Sequence, residues 1–168
     1  MKLWQLVAIG VLGAFLVRAY VVEGIVIASE SMEPALPVGR HLFVNKLAYR
    51  FRDPRRGDIV VFPSPVEEKK GLVKRVIAVE GDEVRIVEKK VLLNGQPLEE
   101  PYVVHRRAGE KFTDDNMDVG RVPRGSVFVL GDNRDVSGDS RDWKDPKTGE
   151  PIRFIRAVDL TGEILDFP

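Results

Sequence analysis

The chain predicts a mainly β fold, an antiparallel β-sheet domain preceded by one N-terminal transmembrane helix. Three observations carry that expectation. A single apolar run extends from Leu3 to Val22; short runs rich in β-branched residues, bounded by Gly, Pro, Asn and Asp, fill the chain beyond residue 40; and no sustained helical period follows the first run. The organisation expected is residues 1–24 as anchor and exit segment and residues 25–168 as the β-rich domain. With 168 residues, the chain suits one domain with a real core plus an appendage, since domains commonly run about 100 to 200 residues.

The N-terminal run is apolar from Leu3 to Val17 except at Gln5, and after Arg18 it resumes through Ala19, Tyr20, Val21 and Val22. A helix of about 20 residues, rising about 1.5 Å per residue, crosses a hydrocarbon core of about 30 Å. Arg18 is placed to snorkel to the interface, with Trp4 and Tyr20 as interfacial aromatics. Read otherwise, the run is a cleaved secretory signal with Val26-Ile27-Ala28 as its small-residue site, or a buried core helix. Arg18 separates the apolar stretch from that site, and nothing later in the chain offers a helix to pack against it. Lys2 and the terminal amine favour an N-terminus on the cytoplasmic side, whereas Arg18 argues weakly for the reverse.

Strands are expected at Asp58–Phe62, Leu72–Val79, Glu83–Glu88, Val91–Leu93 and Ser126–Leu130. Asn94-Gly95 is a strong hairpin signal, and Gly57-Asp58 and Gly81-Asp82 are weaker ones. The charged, weakly patterned stretch from Tyr102 to Arg121 reads as a solvated excursion, and a short turn is expected near Arg153 to Asp159.

Acidic and basic residues balance at 26 each, so no global field draws the chain to nucleic acid, and partners must be recognised locally. There is no cysteine, which excludes disulfides, thiolate metal sites and a cysteine nucleophile. His41 and His105 are the only histidines, and neither HExxH nor a Gly-rich phosphate loop occurs. No metal and no cofactor is expected.

Three segments hold the groups able to do chemistry. In Ser29-Glu30-Ser31-Met32-Glu33-Pro34, two serines at i and i+2 of an extended segment point the same way and could supply a nucleophile and a hydroxyl donor to one centre; a polar turn leaving the membrane is the plainer reading. In Gly71–Val79, strand alternation puts Lys74 with Leu72, Val76 and Ala78, and Arg75 with Val73, Ile77 and Val79, so one cation faces an apolar layer. A buried lysine loses about 3 to 5 units of pKa and becomes a usable base, whereas an edge lysine merely packs its stem and reaches water. The third segment, Gly131 to Arg141, invites reading as a calcium loop. It fails that test, with Ser140 at the sixth place where glycine belongs and Pro146 at the twelfth where glutamate belongs. What remains is a dense polar turn whose aspartates can pair Arg134 and Arg141.

Taken in order, SESMEP, RRGDIVVF, VKRVIAVEGD and GDNRDVSGDSR after an N-terminal anchor resemble the four boxes of the type I signal peptidases, serine proteases with a Ser/Lys dyad. The resemblance implies Ser31 as nucleophile and Lys74 as general base. It further implies Ser29 and the Ser31 N–H as oxyanion donors, Ser137 orienting the lysine amine, Asp139 and Arg141 as an ion pair beneath the site, and Gly131 as a point of close backbone approach. Met32 and Leu36 are expected either to line substrate pockets, to dip into lipid or to pack locally. The implied activity is removal of signal peptides from exported preproteins. The expected location is a plasma membrane crossed once, with the N-terminus cytoplasmic and the catalytic domain on the extracytoplasmic face, and membrane lipid as a partner. A related Ser/Lys protease of other purpose, such as pilin or organelle inner-membrane processing, and a catalytically silent, membrane-tethered binding module are the competing readings. Two departures from the family pattern stand out. Pro34 is followed by Ala35 where threonine is usual, and the lysine box ends Ala78-Val79-Glu80-Gly81-Asp82 without its usual proline and first glycine.

Overall fold

The computed structural model describes residues 2–107, 109–110 and 115–165. Helix α1 covers Leu3–Tyr20, and the apolar composition explains it: only Gln5 and Arg18 interrupt the run. Leu3, Trp4, Val7, Val11, Phe15 and Tyr20 stand exposed along it. The expectation that it crosses a membrane finds no support in its dimensions: among the described residues no helix is long and apolar enough to do so. Eighteen residues make a rod of about 27 Å, and the apolar residues that were to complete it, Val22 onward, go into a strand instead. That strand, β1 (Val22–Val26), begins within the stretch assigned to the anchor.

Eleven strands form two antiparallel sheets among the described residues. They are β1, β2 (His41–Asn45), β3 (Ile59–Pro63), β4 (Gly71–Val79), β5 (Glu83–Val87), β6 (Lys90–Leu93), β7 (Gln96–Pro97), β8 (Met117–Arg121), β9 (Ser126–Leu130), β10 (Ile155–Arg156) and β11 (Gly162–Leu165). The larger sheet runs β1-β2-β11-β3-β4-β9-β10 and the smaller β7-β6-β5-β8. The only other α-helical piece described is the single turn α2, Ala48–Phe51. The five expected strands all form, within a residue at each end. Turn chemistry explains the punctuation: Asn94 and Gly95 both take positive φ, as do Gly57 and Gly81, the conformation hairpin turns demand.

Part of the charged stretch is corrected. Residues 108 and 111–114 lie outside the described residues, but β8, within it, pairs with β5. Residues 102–104 lie against the 132–134 loop: Val104 N–H donates to Asp132 O and Arg134 N–H to Val104 O, at 3.0 and 3.1 Å. Long-range pairing, which charge pattern does not report, overrides the local polarity.

Three apolar clusters hold the sheets. Val60, Phe62, Val76, Val127, Val129 and Trp143 pack on one face of the large sheet, with Trp143 edge-on to Phe62 at 5.9 Å. Ile77, Ala78, Phe128 and Leu130 pack against Val84, Ile86, Val91 and Leu93 of the small sheet. Ile27, Met32, Leu36, Leu42, Val44 and Ile164 form the third cluster, under the segment between β1 and β2. β9 alternates between the first two clusters and is buried on both faces. β4 does so by another device, a β-bulge between Val76 and Ala78, which inserts one residue and exchanges the two faces. The simple alternation expected for this strand therefore holds for Leu72, Lys74 and Val76 and then breaks: Val79, not Ala78, joins the cluster of Val76.

Candidate active site

The connection from β1 to β2 carries Ser29 and Ser31. It is not extended as the sequence suggested: Ser29 is extended, but Glu30–Met32 make a 3-10 turn. The two hydroxyls nonetheless meet, Ser29 Oγ lying 3.1 Å from Ser31 Oγ. Met32 and Leu36 anchor the turn from below, almost wholly buried in the third cluster. Neither is among the residues lining the cleft beside Ser31; their place is the core, because an apolar residue one step from a polar rim gains most by turning inward.

Lys74 sits mid-strand in β4, opposite Val60 of β3. The paired position puts its side chain on the face of Val60, Phe62, Leu72 and Val76, an apolar surround that leaves Lys74 only 3% exposed. Its Nζ is 2.8 Å from Ser31 Oγ. Burial brings its pKa from the usual 10.5 down to about 8. Asp139 pulls that value up while Arg141 and Lys70 push it down, and Asp132 pulls weakly up. Asp139 and Arg141 neutralise one another and so leave burial in command.

That pair lies beneath the dyad. Arg141 Nε and Nη2 donate to the two oxygens of Asp139 at 2.8 and 2.9 Å, and Gly131 N–H donates to Asp139 at 3.1 Å. Burial alone would raise the Asp139 pKa, but Arg141 and these donors hold it below the usual carboxylate range. Gly131 occupies a position no side chain could share: a Cβ there would come within 2.5 Å of the Ser31 carbonyl oxygen and closer still to Ser137 Oγ. Ser137 itself is buried, and its Oγ has no hydrogen-bond partner among the described residues. It does lie near enough to the Asp139 carboxylate to help hold its pKa down.

Asn133 and the Arg75–Asp132 pair lie in segments that sequence reasoning had marked, yet it gave neither a role. Asn133 N–H donates to Ser31 O at 3.1 Å and its Nδ2 to Glu30 O at 3.3 Å, so it stitches the Glu30–Met32 turn to the loop after β9. Arg75, next to Lys74 but on the opposite face, is bidentate to Asp132 at 2.8 and 2.6 Å. Both partners were visible as letters; their pairing needed the register of β4 on β9. At the end of the lysine box Asp82 accepts from Val79 N–H at 3.0 Å and from Asn94 Nδ2 at 2.9 Å and pairs with Arg56, which closes the turn after β4.

Beside the dyad opens a cleft of about 420 Å³, lined by Ser29, Glu30 and Ser31, by Leu72 and Lys74, by Ser64, Val66, Glu67 and Lys70 of the β3–β4 hairpin, and by Val136, Gly138 and Trp143. A hydroxyl, a buried amine of lowered pKa and a second hydroxyl on the wall of one cleft are equipped for acyl transfer.

Comparison with known proteins agrees. Residues 1–165 match the family described as signal peptidase, peptidase S26. Signal peptidase I of Leptolyngbya laminosa is 41% identical over 145 residues, which cover 82% of this chain and 68% of that protein. Probable signal peptidase I-2 of Synechocystis sp. is 38% identical over 149 residues, 85% of this chain and 65% of that one. The chain thus spans about two thirds of the length of these relatives. A solved signal peptidase I from Enterococcus faecalis superposes with a TM-score of 0.51 at 30% identity, covering 68% of this chain and 98% of that one. On the match of nearly its whole length, joined to that shared fold, the chain belongs to the signal peptidase family, peptidase S26, a family of serine endopeptidases.

Proposed function

We propose that this chain is a membrane-held endopeptidase that removes signal peptides from exported preproteins, with Ser31 as nucleophile and Lys74 as general base. One observation carries the proposal: the Lys74 amine, buried and brought to a pKa of about 8, stands 2.8 Å from Ser31 Oγ. When Lys74 is neutral, the Ser31 hydroxyl donates to Nζ and passes its proton there as Oγ attacks the scissile carbonyl. The ammonium returns that proton to the departing amine, leaving an acyl-enzyme on Ser31. Water, deprotonated by the same amine, then hydrolyses the ester. Ser29 and the Ser31 N–H are the oxyanion donors, groups each worth about 100- to 1000-fold in such reactions. Ser137 steadies the lysine amine, and the Asp139–Arg141 pair keeps the loop around Gly131 closed on the turn.

The anchor residues 1–24 and the domain 25–168 divide the labour. A helix apolar on every side and largely uncovered has no stable place in water, and lipid is the solvent that suits α1. We place the N-terminus on the cytoplasmic side and the β-rich domain on the outer face of a plasma membrane. There the site meets substrates whose own apolar segment has just ended, and tethering raises their effective concentration.

The test is cleavage of a preprotein with an Ala-x-Ala site by the detergent-solubilised chain, beside Ser31→Ala and Lys74→Ala, from pH 6 to 10. Cut product from the unaltered chain alone is expected, with an acidic limb centred near pH 8; below it the rate falls about tenfold per pH unit, because the base must be neutral. Normal cleavage by Lys74→Ala would remove the lysine from the mechanism. An inactive unaltered chain would leave a binding module as the better reading.

A further inference from the structure

The segment from residue 102 to residue 107 had no purpose in the sequence, yet it is fastened on both sides of Arg106. Arg107 N–H donates to Asp135 Oδ2 at 2.6 Å, and His105 Nδ1 lies 3.4 Å from Asp135 Oδ1. Two residues earlier, Val104 bridges to Asn133. From this base the Arg106 guanidinium reaches across to the nucleophile turn. Nη1 is 2.7 Å from Glu30 Oε2, and Nη2 pairs with Glu33 Oε2. Glu30 directly precedes Ser31 and Glu33 follows it by two residues, so one guanidinium spans the two carboxylates that bracket the nucleophile.

Resting on the reading of Ser31 as nucleophile, we infer that Arg106 is a positioning residue for that reaction: it ties the Glu30–Met32 turn to the 102–107 segment and cancels two negative charges beside the developing oxyanion. The chemistry follows from the sign of the charge. Attack by Ser31 Oγ puts negative charge on the substrate carbonyl oxygen, and uncompensated carboxylates one and two residues away oppose it. The same carboxylates would favour the ammonium form of Lys74. That amine already faces Asp139 and Arg141 from the loop after β9, Asp132 from the same loop, and Lys70 and Glu67 from the β3–β4 hairpin. Arg106, Glu30 and Glu33 are partly exposed, so the fork contributes little to folding, and its effect is to be read in the reaction.

The full chain in detergent, cleaving a preprotein with an Ala-x-Ala site, gives the test through Arg106→Gln, Arg106→Lys and the triple variant Arg106→Gln with Glu30→Gln and Glu33→Gln. Arg106→Gln is expected to lower kcat about tenfold with KM within about twofold, to move the acidic limb up by about half a pH unit, and to leave Tm unchanged. Arg106→Lys recovers part of the loss, since lysine restores the charge but not the fork, and the triple variant recovers most of the pH shift by removing the charges themselves. An active unaltered chain with an indistinguishable Arg106→Gln would overturn the inference alone. So would a loss that tracks a fallen Tm and is recovered by neither Arg106→Lys nor the carboxylate changes, which would make Arg106 an ordinary fastener. An inactive unaltered chain overturns the reading of Ser31, and this inference with it.

Discussion

The two faces of β4 carry neighbouring cations with opposite fates. Lys74 and Arg75 are adjacent in sequence, both drawn out of water, and each meets a polar group across the strand. Burial works against the charge on both. For Arg75 burial is the largest single influence, but the two hydrogen bonds to Asp132 together with the charges of Asp132 and Glu100 outweigh it and raise the pKa, and the guanidinium also lies over the Tyr102 ring at 4.0 Å. Lys74 has no carboxylate of its own; its near neighbour Asp139 is committed to Arg141, and so burial prevails. One strand thus keeps a cation charged where a carboxylate is supplied and brings an amine toward neutrality where it is withheld. Residue type follows the same division, since a guanidinium is never deprotonated in a protein whereas an ammonium readily is.

The sharpest way to break the comparison is to carry the permanent charge to the other face. Lys74→Arg should lower cleavage of an Ala-x-Ala preprotein by at least about 1000-fold at every pH from 6 to 10, since nothing remains to accept the Ser31 proton. Substantial activity in that variant would mean that the residue does not act as a base. Next in size, Asp132→Ala strands the Arg75 charge in a site where its side chain is only 12% exposed, and should cost about 3 kcal/mol of stability in a denaturant titration. A loss below about 1 kcal/mol would show that the Tyr102 ring and water suffice for Arg75.

The smallest effect is also the most discriminating. Folding lowers the Lys74 pKa from 10.5 to about 8, so between those values the folded state holds fewer protons than the unfolded one. The cost of burying the charge is therefore full below pH 8 and fades as the pH rises toward 10.5. The stability advantage of Lys74→Met over the unaltered chain should accordingly shrink by about 2.5 kcal/mol from pH 6 to pH 10. A constant difference across that range would place the lysine's ammonium in contact with water.

The strands rich in valine and isoleucine, β4, β5, β6 and β9, were legible because composition and turn residues mark them locally. β2, β8 and β11 were not. Each is four or five residues long, and β8 contains Asp118 and Gly120, so each exists only because a partner strand accepts it. The site divides in the same way. Ser29, Ser31, Lys74 and the Asp139–Arg141 pair stand within recognisable boxes, and the last two are close in sequence. Asn133 on Ser31, Arg75 on Asp132 and Arg106 on Glu30 join residues 102, 57 and 76 positions apart, and no local pattern encodes such a distance. The face of β4 was read correctly up to Val76 and wrongly past it, because a bulge leaves no mark in alternation until the neighbouring strand is known.

The position of β11 has a consequence for timing. In the large sheet the strands flanking Ser31, β1 and β2, meet the strand bearing Lys74 only through β11 and β3, and Gly162 of β11 fits so closely that a Cβ would strike Val44 and the Asn45 carbonyl. Ser31 and Lys74 are thus spaced in the sheet by a strand that brings no residue to the cleft and is synthesised long after both. A growing chain that has not yet released Gly162–Leu165 lacks the sheet pairing that links β2 to β3, and Ser31 and Lys74 are then held together by Asn133 and by the packing of the third cluster.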